Sequence, residues 1–258
     1  MSDLHKIAIV SGKGGVGKTT TTLNLGLALY NLGANIVLLD GNISTPNLGL
    51  YLDILKTSKT LNDVLKGKAK VHEAIHQHNS GLRLITSDLA VDAIKDINFN
   101  KINKVLFDLD EHANLVLVDT AATLGKETLN IIKVVDEVII VTNNDKGALA
   151  DALKTIGTCE RLKVPVIGVI VNKARKNLNK KKIEDFLGVP IIGVIKHDKR
   201  FVSSTKNGKI YLQVYNTNNT DMFYSVAEKF LGSSYVNNLK RRKNTLFNYM
   251  LKQLGLSK

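Results

Sequence analysis

The run Ser11-Gly12-Lys13-Gly14-Gly15-Val16-Gly17-Lys18-Thr19-Thr20 constrains this chain more than any other stretch. It follows a short apolar segment, Lys6-Ile7-Ala8-Ile9-Val10, and leads into a helical pattern over residues 19–32. Its glycines let the backbone bend until successive N–H groups point inward and form a concavity for an anion. The helix that follows adds its positive end. Within the pattern G-x-x-x-x-G-K-T, the Lys18 ammonium can reach the β- and γ-phosphates of a nucleotide, and the Thr19 hydroxyl can ligate Mg²⁺. A strand before and a helix after are the setting that such a loop requires; a bare glycine-rich turn requires neither.

Short apolar runs recur at 7–10, 36–39, 82–85, 115–118, 138–141, 166–171 and 191–195. Most are rich in valine and isoleucine and nearly continuous, which suits strands buried on both faces. Helical patterns separate them, most clearly at 19–32, 146–162 and 180–187. The alternation predicts an α/β domain with a largely parallel, twisted sheet flanked by helices. Sites in such folds form at the carboxyl ends of the strands. Asp40 and Asp119 stand there, each after four apolar residues, where a carboxylate can hold Mg²⁺ through water. Asn143 and Asn172 occupy later tips, where a plain turn is the competing explanation.

At 258 residues the chain can bury one substantial core. Met1-Ser2-Asp3-Leu4-His5 leads straight into the first run, so no secretory leader is expected, and the apolar runs are too short to span a bilayer. The single cysteine, Cys159, excludes an intrachain disulfide, is expected in the core, and fits a cytoplasmic setting. A formal charge of +13 favours polyanionic partners, nucleic acid or an anionic membrane.

The second lysine near the start of the loop, Lys13, makes the motif resemble the deviant Walker A loop of the MinD/ParA family of P-loop ATPases. The likeness continues through Asp40-Gly41-Asn42-Ile43-Ser44-Thr45-Pro46-Asn47-Leu48, which is similar to the family's first switch. Asp119-Thr120-Ala121-Ala122 is similar to its second switch, and Val171-Asn172-Lys173 to a segment in which Asn172 matches the adenine-contacting asparagine. Pro46-Asn47-Leu48 favours the MinD branch, archaeal members especially. The resemblance implies an ATPase with Mg²⁺ held by Thr19, Asp40 and Asp119. The nucleotide would be cradled by Gly12, Lys13, Gly14, Gly15, Val16, Gly17, Lys18, Thr19, Thr20 and Asn172. It also implies a homodimer formed on ATP, in which Lys13 of each protomer reaches the other's phosphates. A lysine supplied in trans neutralises charge developing in the transition state.

Three departures stand out. Asn42 replaces the first switch's usual second aspartate, which helps activate the attacking water; an amide can orient water but cannot take its proton. With Lys13, Lys18 and Asn42 as its catalytic set, turnover is expected to be slow. Ala121 and Thr123 replace the usual proline and glycine of the second switch, and Ile195-Lys196-His197-Asp198 lacks the proline common beside the adenine. Iron–sulfur relatives that hold clusters on paired cysteines are excluded by the lone Cys159.

Residues 1–234 read as the ATPase domain and 235–258 as a basic tail. Lys240-Arg241-Arg242-Lys243 precedes Leu246, Phe247, Met250, Leu251 and Leu254, which recur at helical spacing and form one apolar face. Such a C-terminal amphipathic helix suits an anionic membrane surface and resembles the family's membrane-targeting segment. Each basic residue contributes about 1 kcal/mol near an anionic surface. One tail should bind weakly, whereas two on a dimer gain avidity by roughly 10²–10⁴. The expected protein is cytoplasmic, peripheral on the inner face of the membrane when ATP-bound, and positions cell-division or motility machinery through an unidentified activating or cargo protein. The alternative occupant of the tail helix is the protein's own domain.

Two rival functions remain open. A second basic cluster, Lys173-Ala174-Arg175-Lys176 with Lys180-Lys181-Lys182, allows a DNA-partition ATPase that binds nonspecific DNA. Asn42 allows an ATP-gated scaffold that does not hydrolyse. His72-Glu73-Ala74-Ile75-His76 matches the H-E-x-x-H zinc string, but the helix expected there is short and no third ligand follows; coincidence is the better reading.

Overall fold

The computed structural model describes residues 4–174 and 178–232. Its strands are β1 (His5–Val10), β2 (Ile36–Asp40), β3 (His76–Gln77), β4 (Arg83–Ile85), β5 (Leu115–Asp119), β6 (Glu137–Thr142), β7 (Val166–Ala174) and β8 (Ile191–Lys196). They form one sheet in the order β3-β4-β2-β5-β1-β6-β7-β8. Every neighbouring pair is parallel except β3 and β4. The seven apolar runs became seven of these strands. β3 was not foreseen, because two polar residues at a sheet edge leave no apolar run to read.

The runs are continuous because successive residues enter opposite layers. Ala8 and Val10 of β1 pack with Val37, Leu39, Val116 and Val118 into one core; the helices Ile102–Asp108, Lys126–Ile132, Lys146–Arg161 and Lys180–Leu187 cover it. Ile7 and Ile9 pack with Ile36, Leu38, Leu115 and Leu117 into the other, covered by the helix Lys18–Asn31 and helical residues 218–232. The helix Lys18–Asn31 lies close on β2. A β-carbon on Gly26 would come within 2.6 Å of Leu38 Cδ2, so the lack of a side chain there brings helix and strand together. Its first turn consists of threonines, poor helix formers. Two of their hydroxyls are satisfied one turn back: Thr21 donates to the Gly17 carbonyl and Thr22 to that of Lys18.

The predicted helices at 146–162 and 180–187 are present as Lys146–Arg161 and Lys180–Leu187. Asp145 caps the first by accepting from the Ala148 amide at 3.0 Å, and Asn179 caps the second through the Lys182 amide at 3.0 Å. The tail, with every membrane residue proposed from Lys240 to Leu254, lies outside the described residues, as does the Arg175-Lys176 part of the second basic cluster. Among the described residues no helix is long and apolar enough to cross a membrane.

Cys159 belongs to the helix Lys146–Arg161 and is buried on its core side. Burial, with Glu160 beside it, pushes its thiol up to about 11. At pH 8 only about one molecule in a thousand carries the thiolate. Folded protein should therefore react with a thiol-disulfide reagent orders of magnitude more slowly than urea-unfolded protein, measured by absorbance.

Candidate nucleotide site

The loop between β1 and the helix Lys18–Asn31 has the geometry that its glycines suggest. Gly15 (φ 74°) and Gly17 (φ 94°) occupy the left-handed region, which side chains disfavour. Gly17 is also crowded: a β-carbon there would lie 2.1 Å from Asn172 Nδ2. Gly12 is needed for close approach, since its β-carbon would lie 2.5 Å from the Asp151 carbonyl oxygen. Val16 is buried in the core on the helix Lys18–Asn31 side and anchors the loop from below.

Beneath the loop, Asp119 collects the first turn of the helix. Its Oδ2 accepts from the Thr19 hydroxyl at 2.5 Å, its Oδ1 from the Thr22 hydroxyl at 3.2 Å, and the Lys18 ammonium lies 3.5 Å from Oδ1. Asp40 is the register partner of Asp119 on the adjacent strand, and both are fully buried. Asp40 accepts the backbone N–H groups of Asn42, Asn47 and Leu48 at 3.3, 3.2 and 2.9 Å. Burial, reinforced by the neighbouring Asp119, raises its pKa to about 8 despite those donors. Two buried carboxylates side by side call for a cation. The Thr19 hydroxyl, Asp40 and Asp119 form an all-oxygen donor set of the kind that suits Mg²⁺.

Asn42 is buried, and Thr45 occupies both ends of its amide. Nδ2 donates to the Thr45 carbonyl, and Oδ1 accepts from the Thr45 hydroxyl at 3.0 Å. The Ser44 hydroxyl donates to Glu127, tying this loop to the helix that follows β5 and its Asp119-Thr120-Ala121-Ala122 segment. Lys13 is exposed, its ammonium 3.3 Å from Asp145 Oδ1. Asn172 is buried at the end of β7 and donates to the Val16 carbonyl at 2.7 Å. Beside it opens a cleft of about 560 Å³, lined by Gly15, Gly17, Asn172, His197, Asp198 and Phe201 among others. Asn143 also stands at a strand tip, its Oδ1 buried without a hydrogen-bond partner among the described residues.

The fold thus gathers Lys18, Thr19, Asp40, Asp119 and Asn172 around one loop, while Lys13 stands at its rim. Sequence reading missed Thr22, although it lies one helical turn beyond Thr19 and so had to share its face. It also missed Ser87, whose hydroxyl donates to the Asp40 carbonyl at 2.7 Å; no spacing signals a contact between separate loops. His72 and His76 do not share a helix face. The first lies in a 3₁₀ turn and the second in β3, with its Nε2 2.8 Å from the Lys59 carbonyl.

The ParA family, described as an NUBPL iron-transfer P-loop NTPase family, matches residues 4–231. The chain belongs to the MinD/ParA family of P-loop NTPases. An uncharacterised ATP-binding protein of Methanocaldococcus jannaschii is 34% identical over 252 residues, 96% of each chain. The septum site-determining protein MinD of Synechocystis is 32% identical over 212 residues, 79% of this chain and 80% of that one. The structure of Pyrococcus horikoshii MinD complexed with Mg-ADP superimposes with a TM-score of 0.82 at 27% identity, covering 88% of this chain and 96% of that chain. The sheet and flanking helices are those of the MinD/ParA fold.

The strained charge beneath the MinD/ParA loop has a consequence for stability. A carboxyl whose pKa rises on folding, here from 3.8 to about 8, keeps its proton longer in the folded state. Its contribution to stability therefore falls as pH rises between those values. In buffer free of divalent cations and nucleotide, the wild type should lose stability relative to Asp40→Asn from about pH 5 to about pH 8. Urea midpoints across that range measure it; parallel curves would show Asp40 ionised throughout.

Proposed function

We propose that this protein is an ATP-dependent, dimerising and slowly hydrolysing ATPase of the MinD kind that associates reversibly with membrane and positions other machinery. The observation that carries the nucleotide part is the convergence of Lys18, Thr19, Asp40 and Asp119 under a loop with two left-handed glycines. In this reading residues 12–20 cradle the phosphates, and Asn172 lies beside the base. Thr19, Asp40 and Asp119 would hold Mg²⁺, the aspartates through water, and the ion would supply charge neutralisation for phosphoryl transfer. The Mg-ADP bound to the Pyrococcus MinD supports the choice of ligand. Homodimerisation on ATP rests on Lys13, whose ammonium stands exposed at the rim of the loop beside Asp145. Residues 1–234 carry the nucleotide chemistry and 235–258 the anionic-membrane contact. The protein is cytoplasmic and peripheral on the inner membrane face when ATP-bound.

Slow turnover rests on Asn42. An aspartate at this position would place a carboxylate oxygen against the Thr45 carbonyl, which now accepts the Asn42 amide. That repulsion would free the side chain and provide a proton acceptor. Asn42→Asp should raise basal phosphate release about tenfold or more. A wild-type rate equal to or above the variant's would remove the explanation, and no release from either would favour the ATP-gated scaffold.

The membrane part is checked separately. Full-length protein with ATP should sediment with anionic liposomes, and a chain ending at Ser234 should not. If both pellet equally, the anchor reading is wrong. The exposed lysines at 173 and 180–182 favour the second reading, DNA partition, which predicts ATP-stimulated, strongly salt-dependent binding to arbitrary duplex.

A further inference from the structure

Two successive carbonyls of the phosphate loop are held from behind by two successive residues of β7. Asn172 Nδ2 donates to the Val16 carbonyl at 2.7 Å, and Lys173 Nζ donates to the Gly15 carbonyl at 2.7 Å. A peptide unit is planar and trans, so its N–H points opposite to its C=O. The Gly15 carbonyl shares a plane with the Val16 N–H, and the Val16 carbonyl shares one with the Gly17 N–H. Drawing both carbonyls toward β7 turns both N–H groups away from it, to the phosphate side of the loop.

Asn172 is buried, and Lys173, although exposed, reaches the loop from a constrained turn. Lys173 reaches Gly15 from a left-handed backbone (φ 52°), a conformation that costs a lysine energy and is seldom adopted without a compensating interaction. Asn172 supports it: Oδ1 accepts the Lys173 N–H at 2.8 Å while Nδ2 holds the loop, so one amide sets the turn and the first brace together. The Lys173 partner is a neutral carbonyl, so the bond orients a peptide rather than neutralising a charge. Gly15 needs the help. It sits at φ 74° with open space where a β-carbon would stand, so it has no side chain of its own to hold its carbonyl in place.

We infer that Lys173 is a positioning residue of the phosphate loop, orienting the Gly15–Val16 peptide so that the Val16 N–H faces the bound phosphates. The inference rests on the reading of this loop as a nucleotide site. It concerns a residue one position beyond the asparagine that the family resemblance assigns.

The test uses full-length protein and two probes, a fluorescent ADP and, by competition, inorganic tripolyphosphate, which has no base. Lys173→Met should weaken both roughly tenfold, the range expected from losing one charge-assisted hydrogen bond. The loss should persist at high salt, because a broken brace is not screened, whereas a loss due to general surface charge would fade. Lys173→Arg should restore most of the affinity, and both variants should still unfold in one cooperative thermal transition without nucleotide, which shows the fold retained. Equal binding by Lys173→Met, a defect confined to the fluorescent ADP, or a difference that vanishes at high salt would each overturn the inference. If the wild type bound neither probe, the nucleotide reading itself would fall, an outcome distinct from the other three.

Discussion

The buried carboxylate of Asp119 is the point on which the site depends. It terminates a strand enclosed by β1 and β2, so it cannot turn to solvent, and its two oxygens must find donors inside. The helix that follows the loop supplies them from three residues, Lys18, Thr19 and Thr22. The loop is thereby pinned at its downstream end, while Val16 and the Asn172 amide pin its middle. Asp40, forced by register to lie beside Asp119, makes the arrangement electrostatically incomplete. A fold stabilised by apolar burial tolerates that strain at one edge, where a cation can relieve it.

The same edge joins the loops that follow β2 and β5. Asp40 is at once a strand end and the acceptor for the amides of Asn47 and Leu48, so the loop after β2 hangs from the residue that a metal would engage. Within that loop Asn42 and Thr45 close on each other, and Ser44 reaches across to Glu127 on the helix after β5. A change in charge at Asp40 or Asp119 therefore has short covalent and hydrogen-bonded routes into both segments. Lys13 lies apart from this network at the surface, paired with Asp145 at the cap of the helix Lys146–Arg161. Its position at the rim is the feature of the site that points outward.

Much of this is legible in the sequence alone. The glycine pattern, the apolar runs and the carboxylates ending them are local signals, each set by backbone freedom or by a strand's need to bury both faces. Lys18 and Thr19 stand out through the loop pattern, and Asp40 and Asp119 because parallel strands must present their carboxyl ends together. β3 escaped because a two-residue edge strand buries too little to leave a pattern. Ser87 escaped, and Lys173 was read only as part of a segment and a basic cluster, because their partners, the carbonyls of Asp40 and Gly15, are backbone atoms far along the chain that no residue type announces. The zinc-like string failed for the opposite reason: its residue types were right, but a 3₁₀ turn and a strand separated its histidines.

The sequence by itself determined the fold class and the phosphate loop, because these follow from short-range chemistry repeated at fixed spacing, and its motifs carried the resemblance to the family. Only the tertiary structure decided what each polar atom of the site faces. It placed Asp40 beside Asp119 in register, closed the Asn42 amide on Thr45, and set Asn172 and Lys173 behind the loop. Those pairings depend on strand order, which puts β5 between β1 and β2 and brings β7 within reach of residues more than 150 positions earlier. Strand order is set by how whole layers pack, and no single stretch of the chain contains it.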